Sequence, residues 1–373
     1  MSNSAATPAS LSKTPLHAEH VALGGRMVPF AGWEMPVQYK GVTEEHRAVR
    51  TAVGIFDVSH MGELVLTGDY AMNVVDYLIT NDVKRLVDGQ ALYTVACNEA
   101  GTILDDLIVY RISHTKWLIV CNASNRDKMS AHFKAAAHNH CDFEDASDRT
   151  ALIALQGPKA FEVLSLAGGD GPALAQLPSF HFRDANVANV HCTVARTGYT
   201  GEDGVEIFCP IDGAVQIFRT LVRLGSPFGL APAGLAARDT LRLEARLSLY
   251  GNEIDETTNP LEAGLGWVVK MSKGDFVGRT ALERVKSAGL SRKLVGFEVA
   301  GRGIARHGYP LLSKEGIKVG ICTSGGPGPT VSKNIGLGYL PAPMAEVGTE
   351  FAVDCRGRTV DAVVVKTPFY KRS

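Results

Sequence analysis

The sequence predicts a protein of the α+β class that ends in a small all-β domain. Strand-like and helix-like segments mix irregularly over most of the 373 residues, a pattern that favours α+β over a doubly wound sheet. After about Lys293 the chain changes to short apolar runs broken by Gly and Pro, which is typical of a β-barrel or jelly roll. The length suits two or three domains. We place the start of the last domain between residues 275 and 292.

Helices are predicted from apolar periodicity and from capping signals. Thr43 is the expected N-cap of a helix over 44–52, because Glu44 and Glu45 favour the positive end of the helix dipole. Pro158 is expected at the first position of another helix, where its missing N–H costs nothing. Further helices are predicted from about residue 69, from about residue 125, over 214–222 and over 234–247.

Strands are predicted where apolar and β-branched residues cluster between turn residues. Three of them lie between residues 90 and 121, and the short turn at Asn98–Gly101 predicts a hairpin between the first two. Residues 151–157 and 205–210 are expected to form two more strands. The Gly-rich segment over 323–330 is expected to be a turn between strands.

Composition argues against several classes of protein. Thirty-eight Lys and Arg residues balance 39 Asp and Glu residues for a formal charge of −1, so the basic surplus of a nucleic-acid-binding protein is missing. No segment reaches the roughly 18–20 apolar residues of a membrane span. Residues 1–12 lack the apolar core of a signal peptide. We expect them to be a flexible tail on a monomeric cytoplasmic protein of bacterial type, rather than on a protein of the mitochondrial matrix.

A metal site is not expected. The seven cysteines include no CxxC pair, so zinc-ribbon and thioredoxin-like sites are absent and the thiols are expected to be reduced and buried. His138, His140 and Cys141 lie close together in the sequence. They fall at a predicted helix end, where His is favoured electrostatically, and we do not assign them to a metal.

Asp105 and Asp106 interrupt the apolar strand over 103–112. Successive residues of a strand point to opposite sides, so one carboxylate can reach an edge while the other faces a core or a pocket. A buried carboxylate has a raised pKa. The pair can be hydrogen-bonded edge aspartates, or one of them can act as a general acid or base or stabilise a cation in a cleft.

Glu206 and Arg238 are the other polar candidates. Glu206 lies between apolar residues of a predicted strand, where it can accept two N–H groups of a ligand or pair with an arginine of the core. Glu202 and Asp203 in the Gly-rich segment before it are expected to be solvated. Arg238 recurs with Arg242 and Arg246 at helical spacing. They form either a solvated helix face or, through Arg238, a site for an external carboxylate.

Five long segments resemble the family of the glycine cleavage system T-protein, an aminomethyltransferase. The resemblance runs in colinear order from about Thr14 to the C-terminus, and it is carried by GRMVPFAGWEMPVQY, EEHRAVRTAVGIFDVSHMGE, GTILDDLIVYR, TGYTGEDGVEI and GLAARDTLRLEARLSLYGNEIDETTNPLEAGLGW.

The resemblance implies a three-lobed fold around a folate site, with two discontinuous α+β lobes and a C-terminal β jelly-roll or barrel lobe. On that basis we expect a tail over residues 1–12 and a first lobe over 13–58 plus 148–230. The second lobe is expected over 59–147 plus 231–280, and the barrel lobe over 281–373.

The resemblance also implies the chemistry. The family transfers the methylene carbon of an aminomethyl group, carried on lipoylated H-protein, to tetrahydrofolate, and it releases ammonia. It implies that Asp105 is the essential acid, that Glu206 binds the pterin ring and that Arg238 binds folate. The resemblance further implies that Asn122, Tyr199, Met61 and Trp267 fall in motifs that line the pocket. It also implies that a C-terminal aromatic or basic residue, Tyr370 or Arg372, lies beside the folate.

Two alternatives remain within the same fold. A tetrahydrofolate-dependent demethylase would take its carbon from a free small molecule and would not need H-protein. A non-transferase relative with a role in iron–sulfur maintenance carries a KGCYxGQE-type signature, where this chain has RLSLYGNEIDE without the cysteine. The residues suit the transferase, because methylene transfer requires a positioned carboxylate but neither a protein nucleophile nor a metal.

Overall fold

A computed structural model describes residues 10–301 and 303–372 of the chain. Residues 1–9 of the predicted tail lie outside the described residues. Ser12, near its end, exchanges backbone hydrogen bonds with Gly32 and Glu34, both at 2.9 Å. The described chain is therefore tied to the fold from residue 12 onward.

The six predicted helices are present and differ from the predictions at their ends, and the described residues form three further helices that were not predicted. Helix α2 begins at Val42, not after Thr43, because the Glu45 carboxylate accepts the N–H groups of Tyr39 at 2.7 Å and Gly41 at 3.1 Å and so caps the turn itself. Pro158 precedes its helix, whose N-cap is Lys159. The helices are α1 His17–Ala22, α2 Val42–Thr51, α3 Ala71–Leu78, α4 Arg126–Ala137, α5 Ala160–Leu166, α6 Gly171–Gln176, α7 Ala214–Gly225, α8 Leu235–Glu244 and α9 Arg279–Ala288.

The strands before residue 233 form a two-stranded ribbon and two larger sheets, and the five strands of one sheet follow one another in the chain between the first and second strands of the other. The ribbon pairs β1 Arg26–Phe30 with β2 Trp33–Gln38. The strands that follow are β3 Val53–Asp57, β4 Gly62–Thr67, β5 Gln90–Cys97, β6 Ile103–Ser113, β7 Lys116–Cys121, β8 Asp142–Asp145, β9 Thr150–Gln156, β10 Phe182–Val187, β11 Val190–Ala195, β12 Gly204–Pro210 and β13 Leu230–Pro232. One sheet has the order β10-β11-β12-β9-β3-β13 and the other β5-β6-β7-β4-β8.

The two larger sheets pack face to face, and each is covered on its outer side by helices. Helices α5 and α7 cover the six-stranded sheet, and α3 and α4 cover the five-stranded sheet. The inner faces meet around Tyr110, whose ring packs edge-on against Phe182 and Phe208 at centroid distances of 5.5 and 5.4 Å. This layered α+β arrangement confirms the predicted fold class. The exact lobe boundaries stay predictions.

The C-terminal strands close into a barrel, as predicted. Its order is β14-β17-β16-β15-β18-β19, with the strands β14 Arg292–Val299, β15 Pro310–Leu312, β16 Lys318–Gly328, β17 Lys333–Pro341, β18 Glu350–Asp354 and β19 Thr359–Val365. The prediction of a turn over 323–330 is wrong, because β16 continues to Gly328 and pairs with β17. A side chain at Gly325 would place its Cβ 2.6 Å from the carbonyl oxygen of Ala305, so glycine is needed within this strand. None of the described helices has the length and apolar character to cross a bilayer.

Helix α8 connects the sheets to the barrel through buried charges. It packs against α2, β2 and β16. The Glu244 carboxylate is completely buried and lies 3.1 Å from Arg50 and 3.2 Å from His46, and it accepts the backbone N–H of Thr330 at 2.8 Å. Burial alone would raise the pKa of Glu244. The hydrogen bonds and charge of His46, together with Thr330, outweigh burial and hold the pKa at about 2.

Replacing Glu244 by Gln is expected to lower the free energy of unfolding by about 3 kcal/mol at pH 7, because Arg50 loses a buried partner. The folded-state pKa lies below the ordinary 4.5. The stabilisation is therefore present above pH 4.5 and is lost as the pH falls toward 2. Urea unfolding at pH 7 and at pH 3 measures the difference between wild type and variant, which should shrink at the lower pH.

The matched control is Glu350→Gln, which removes an exposed carboxylate 2.6 Å from Lys314. This variant should unfold like the wild type, since exposed pairs contribute little. An equal effect of the two substitutions would contradict the role assigned to Glu244.

Candidate functional site

A cavity of about 900 Å³ lies between the two sheets and α8. Its wall combines the turn between β3 and β4, the inner face of β6, residues of β12 and α8, and the segment 245–252. Polar groups from several elements converge in this largely apolar wall, which is the usual composition of a small-molecule site.

Asp106, not Asp105, lines the cavity. Alternation along β6 turns Asp105 to the opposite side, where it is completely buried toward α4. There it accepts hydrogen bonds from the backbone N–H of Asn122 at 3.0 Å and from the side chains of Asn122 at 2.8 Å and Asn125 at 2.7 Å. The assignment of Asp105 to the cavity is therefore wrong, because Asp105 occupies the interior position of the pair.

Asp106 is held by two donors at the cavity wall. The Tyr93 hydroxyl donates to it at 3.0 Å, and the Asn122 side-chain amide donates at 2.7 Å. Burial raises the pKa of both aspartates, and the charge of Asp106 raises that of Asp105 further. The Asn122 amide therefore bridges two carboxyl groups, and the pKa of each is raised. The pair can hold a proton at a pH closer to neutral than ordinary aspartates can.

Glu206 reaches the cavity from the centre of β12, opposite Ala154 of β9. It is 8% exposed and accepts a hydrogen bond from the Thr197 hydroxyl through Oε2. Its Oε1 accepts no hydrogen bond from the described residues. Burial raises the pKa of Glu206, while the Thr197 hydrogen bond and the positive charge of Arg238 oppose the rise. The free oxygen can accept N–H groups of a ligand.

Arg238 enters the cavity from the first turns of α8. Its guanidinium lies 4.5 Å from the centre of the Tyr199 ring, and no ion pair within 4.0 Å joins it to Glu206 in the described part of the chain. The Tyr199 hydroxyl donates to the Ser248 carbonyl. Arg238 therefore keeps donors available beside a carboxylate. The prediction of a solvated arginine face is wrong, since Arg242 is 1% exposed and pairs with Glu253 at 2.7 Å.

The remaining predicted site residues divide into two groups. Asn122, Tyr199, Met61 and Trp267 line the cavity, and Trp267 is 59% exposed and stacks on Tyr93 with ring centres 5.8 Å apart.

Tyr370 and Arg372 do not belong to the cavity wall, which is instead reached by Thr367 and Pro368. Tyr370 donates to Glu202 at 2.7 Å, and Arg372 pairs with Asp203 at 3.2 Å.

The predicted solvated positions of Glu202 and Asp203 need correction. The Glu202 side chain is 3% exposed and lies 3.0 Å from Arg50. Asp203 pairs with Arg196 at 2.6 Å. Tyr370 and Arg372 attach the C-terminal segment to these two acids, which lie in the loop before β12.

Tyr93 and His60 are polar residues of the cavity wall that the sequence did not single out. In the pairing of β5 with β6, Tyr93 lies opposite Ile108 and Val95 lies opposite Asp106, so Tyr93 and Asp106 are diagonal neighbours. Diagonal neighbours on one face of a sheet can touch, and the predicted hairpin therefore indicated that Tyr93 could contact Asp106. His60 had no such signal, because it lies in the turn between β3 and β4. In the part of the chain that the structure describes, no group of three or more His, Cys, Asp or Glu residues could hold a metal ion.

Comparisons with known proteins agree along nearly the whole chain. Residues 16–273 match the GCVT N-terminal domain, and residues 292–371 match the glycine cleavage T-protein C-terminal barrel domain. An aminomethyltransferase of Desulfitobacterium hafniense is 48% identical over 97% of this chain and 99% of its own length. An aminomethyltransferase of Rubrobacter xylanophilus is 49% identical over 97% of this chain and 95% of its own length. The crystal structure of the glycine cleavage system aminomethyltransferase T from Bartonella henselae superposes with a TM-score of 0.90 at 35% identity and covers 97% of this chain and 99% of that one.

Replacing Tyr93 by Phe is expected to raise the pKa of Asp106 further, because the hydroxyl that stabilises the carboxylate is lost. Carbon-13 NMR of aspartate-labelled protein can follow the carboxyl carbons across a pH titration. Tyr250→Phe is the matched control, since Tyr250 also lines the cavity but bonds to Lys128 at 3.0 Å. If Asp106 titrated near 3.8 in the wild type, or did not respond to Tyr93→Phe, its assigned environment would be wrong.

Proposed function

The chain belongs to the glycine cleavage T-protein family, and from this premise we propose that it is the tetrahydrofolate-dependent aminomethyltransferase of that system. It transfers the methylene carbon of an aminomethyl group on lipoylated H-protein to tetrahydrofolate. The products are 5,10-methylenetetrahydrofolate, ammonia and dihydrolipoyl H-protein. The observation that carries the proposal is one cavity in which Asp106, Glu206 and Arg238 all present polar groups.

The cavity residues fit a pterin ring. A pterin presents an amino group beside a ring N–H, and a carboxylate can accept both donors. Glu206 has a free oxygen for this purpose, and burial in an apolar wall strengthens such a hydrogen bond. Met61 and the stacked pair of Tyr93 and Trp267 supply apolar and aromatic surface for the flat ring. Arg238 supplies donors for acceptor atoms or a carboxylate of the folate.

The reaction requires proton transfer but no oxidation or reduction. The transferred carbon exchanges its bonds to sulfur and nitrogen of the donor for bonds to N5 and N10 of tetrahydrofolate. The two protons released from N5 and N10 end on ammonia and on the lipoyl sulfur, so atoms and electrons balance.

Asp106 is the group placed to manage one of these protons and to stabilise the positive charge that develops on the carbon. Its raised pKa suits the proton transfer, because a general base works best when its pKa lies near the working pH, and its ionised form supplies the negative charge that stabilises the carbon. Asp105 is a positioning residue in this proposal. It binds Asn122 from behind, and Asn122 in turn donates to Asp106.

We further propose that the active unit is one chain, located in the cytoplasm as in a bacterial system. The bacterial aminomethyltransferases to which the chain is similar support the cytoplasmic location. The exposed Trp267 marks an open edge of the cavity, through which a lipoyl arm can carry the donor to Asp106.

The assay that tests the function measures 5,10-methylenetetrahydrofolate and ammonia formed from tetrahydrofolate and aminomethyl-loaded H-protein, with matched reactions that omit the chain. Chain-dependent formation of both products in equal amounts supports the proposal. If tetrahydrofolate bound but no product formed, a demethylase with a free N-methylated donor would be favoured. If it did not bind at all, the non-transferase relative would be favoured.

Replacing Asp106 by Asn is expected to lower kcat by about 10²- to 10⁴-fold, the usual range for loss of a general base. Binding of tetrahydrofolate should persist, since Asn keeps the shape of the side chain. Asp105→Asn is the matched variant and should reduce kcat less, because its side chain does not line the cavity. Circular dichroism and thermal melting confirm that each variant is folded. Near-normal turnover of Asp106→Asn, or a larger loss for Asp105→Asn, would contradict the assignment.

Replacing Glu206 by Gln is expected to weaken tetrahydrofolate binding about tenfold, because an amide offers fewer acceptors to the pterin donors. Anaerobic calorimetry measures the Kd. Glu202→Gln is the matched control, since Glu202 is also buried but pairs with Arg50 and Tyr370 outside the cavity wall. The control should lower stability and leave the Kd unchanged. Equal effects of both substitutions on the Kd would count against direct contact by Glu206.

A further inference from the structure

His60 is a buried polar side chain of the cavity wall that lacks a hydrogen-bond partner. It is 3% exposed, and it lies in the turn between β3 and β4. Its Nδ1 is buried and has no partner among the described residues, and its Nε2 makes no hydrogen bond with them either. Buried polar groups are nearly always hydrogen-bonded in native proteins, so this imidazole needs an explanation beyond packing.

The turn that carries His60 is held rigidly. The Asp57 carboxylate accepts the Ser59 backbone N–H at 2.9 Å. The Ser59 hydroxyl bonds to the backbone carbonyl of Leu152 at 3.2 Å and accepts its N–H at 3.1 Å. The N–H of Val58 also reaches the Leu152 carbonyl, at 3.0 Å. Together with the Met61 N–H, which donates to the Val58 carbonyl at 3.1 Å, these bonds fix the backbone on both sides of His60, so His60 is oriented before a ligand enters.

The ring of His60 is also fixed by packing. It stands edge-on against Phe30, with ring centres 5.6 Å apart and planes at 89°. Phe30 lines the same cavity. A side chain that is packed in this way loses little conformational freedom on binding a ligand, and the cost of ordering it has already been met in folding.

The imidazole is neutral at physiological pH. Burial lowers the pKa of His60 to about 4, and the charge of Arg238 adds to the lowering, while Asp57 opposes it. A neutral ring carries one proton. We assign it to Nε2, because an N–H at the buried Nδ1 would have no acceptor, whereas an unpaired lone pair there is tolerated more often.

We propose that His60 is a positioning residue that donates a hydrogen bond to an acceptor atom of the folate ring system, of which the pterin carbonyl oxygen is the strongest. This inference rests on the proposed function. The Glu206 carboxylate can accept hydrogen bonds only from the N–H groups of the pterin ring. A ring that also has acceptors requires donors on the protein, and His60, Arg238 and Ser248 are among the wall residues whose side-chain donors have no hydrogen-bond partner in the described part of the chain. A single neutral donor at a fixed position would set the orientation of the ring rather than take part in proton transfer.

The test compares His60→Phe, which keeps the ring and removes its nitrogens, with His60→Gln, which restores an N–H donor. His60→Phe should raise the Kd and the KM for tetrahydrofolate about tenfold, the effect of one neutral hydrogen bond. It should change kcat less than threefold. His60→Gln should recover part of the affinity. A purely structural role would lower the melting temperature without a selective effect on KM.

The matched control is His132→Phe. His132 lies on α4, packs edge-on against Phe133 and also has a buried nitrogen without a partner, but it does not line the cavity. This variant should bind tetrahydrofolate like the wild type. An affinity of folded His60→Phe within twofold of the wild type would overturn the proposal.

A second measurement decides the matter if His60→Phe does not fold. In histidine labelled with nitrogen-15, the His60 signals of the wild-type protein should shift on addition of tetrahydrofolate, and those of His132 should not. Unchanged His60 signals at saturation would overturn the proposal while leaving the proposed function intact. If the wild type did not bind tetrahydrofolate at all, the proposed function would fail, and the role of His60 with it.

Discussion

The position of α8 depends on ion pairs and hydrogen bonds that partner the charged side chains buried along this ten-residue helix. Arg242 pairs with Glu253 and donates to Ser324 of β16 at 2.7 Å, and Glu244 binds Arg50 and the barrel segment at Thr330. An unpaired buried charge would cost several kcal/mol, so the helix can occupy only an orientation that partners these groups. That orientation leaves Arg238 directed into the cavity. The structural ion pairs at one end of α8 therefore set the position of a cavity-lining arginine at the other.

The cavity contrasts with these satisfied pairs, because its buried polar groups keep unused capacity. Glu206 has a free oxygen, Arg238 lies on an aromatic ring rather than in an ion pair, and His60 has an unpartnered nitrogen. Each costs stability in the ligand-free protein. A wall that holds donors and acceptors in fixed but unsatisfied positions is preorganised for a flat ligand with both kinds of group, and it needs no rearrangement to bind one.

The two aspartates of β6 show how much depends on one position in a strand. Asp105 and Asp106 share the bridging amide of Asn122, yet strand alternation directs them to different sides of the sheet. The inner carboxyl orients the amide, and the amide orients the outer carboxyl. The sequence indicated that one of the pair would face a pocket but not which, because an apolar run on both faces carries no periodic signal to separate the buried side from the cavity side.

The sequence by itself determined the α+β class, the C-terminal barrel and the order of the main elements, and it singled out Glu206 and Arg238 as polar candidates, both of which line the cavity. These follow from local patterns: apolar runs, turn residues and charges placed where burial is expected. Tertiary structure alone decided which aspartate reaches the cavity, that Tyr370 and Arg372 bind Glu202 and Asp203 instead, and that His60 lies in the wall. Glu202 looked solvated because its partners Arg50 and Tyr370 are far away in sequence, and only folding of the whole chain brings such groups together.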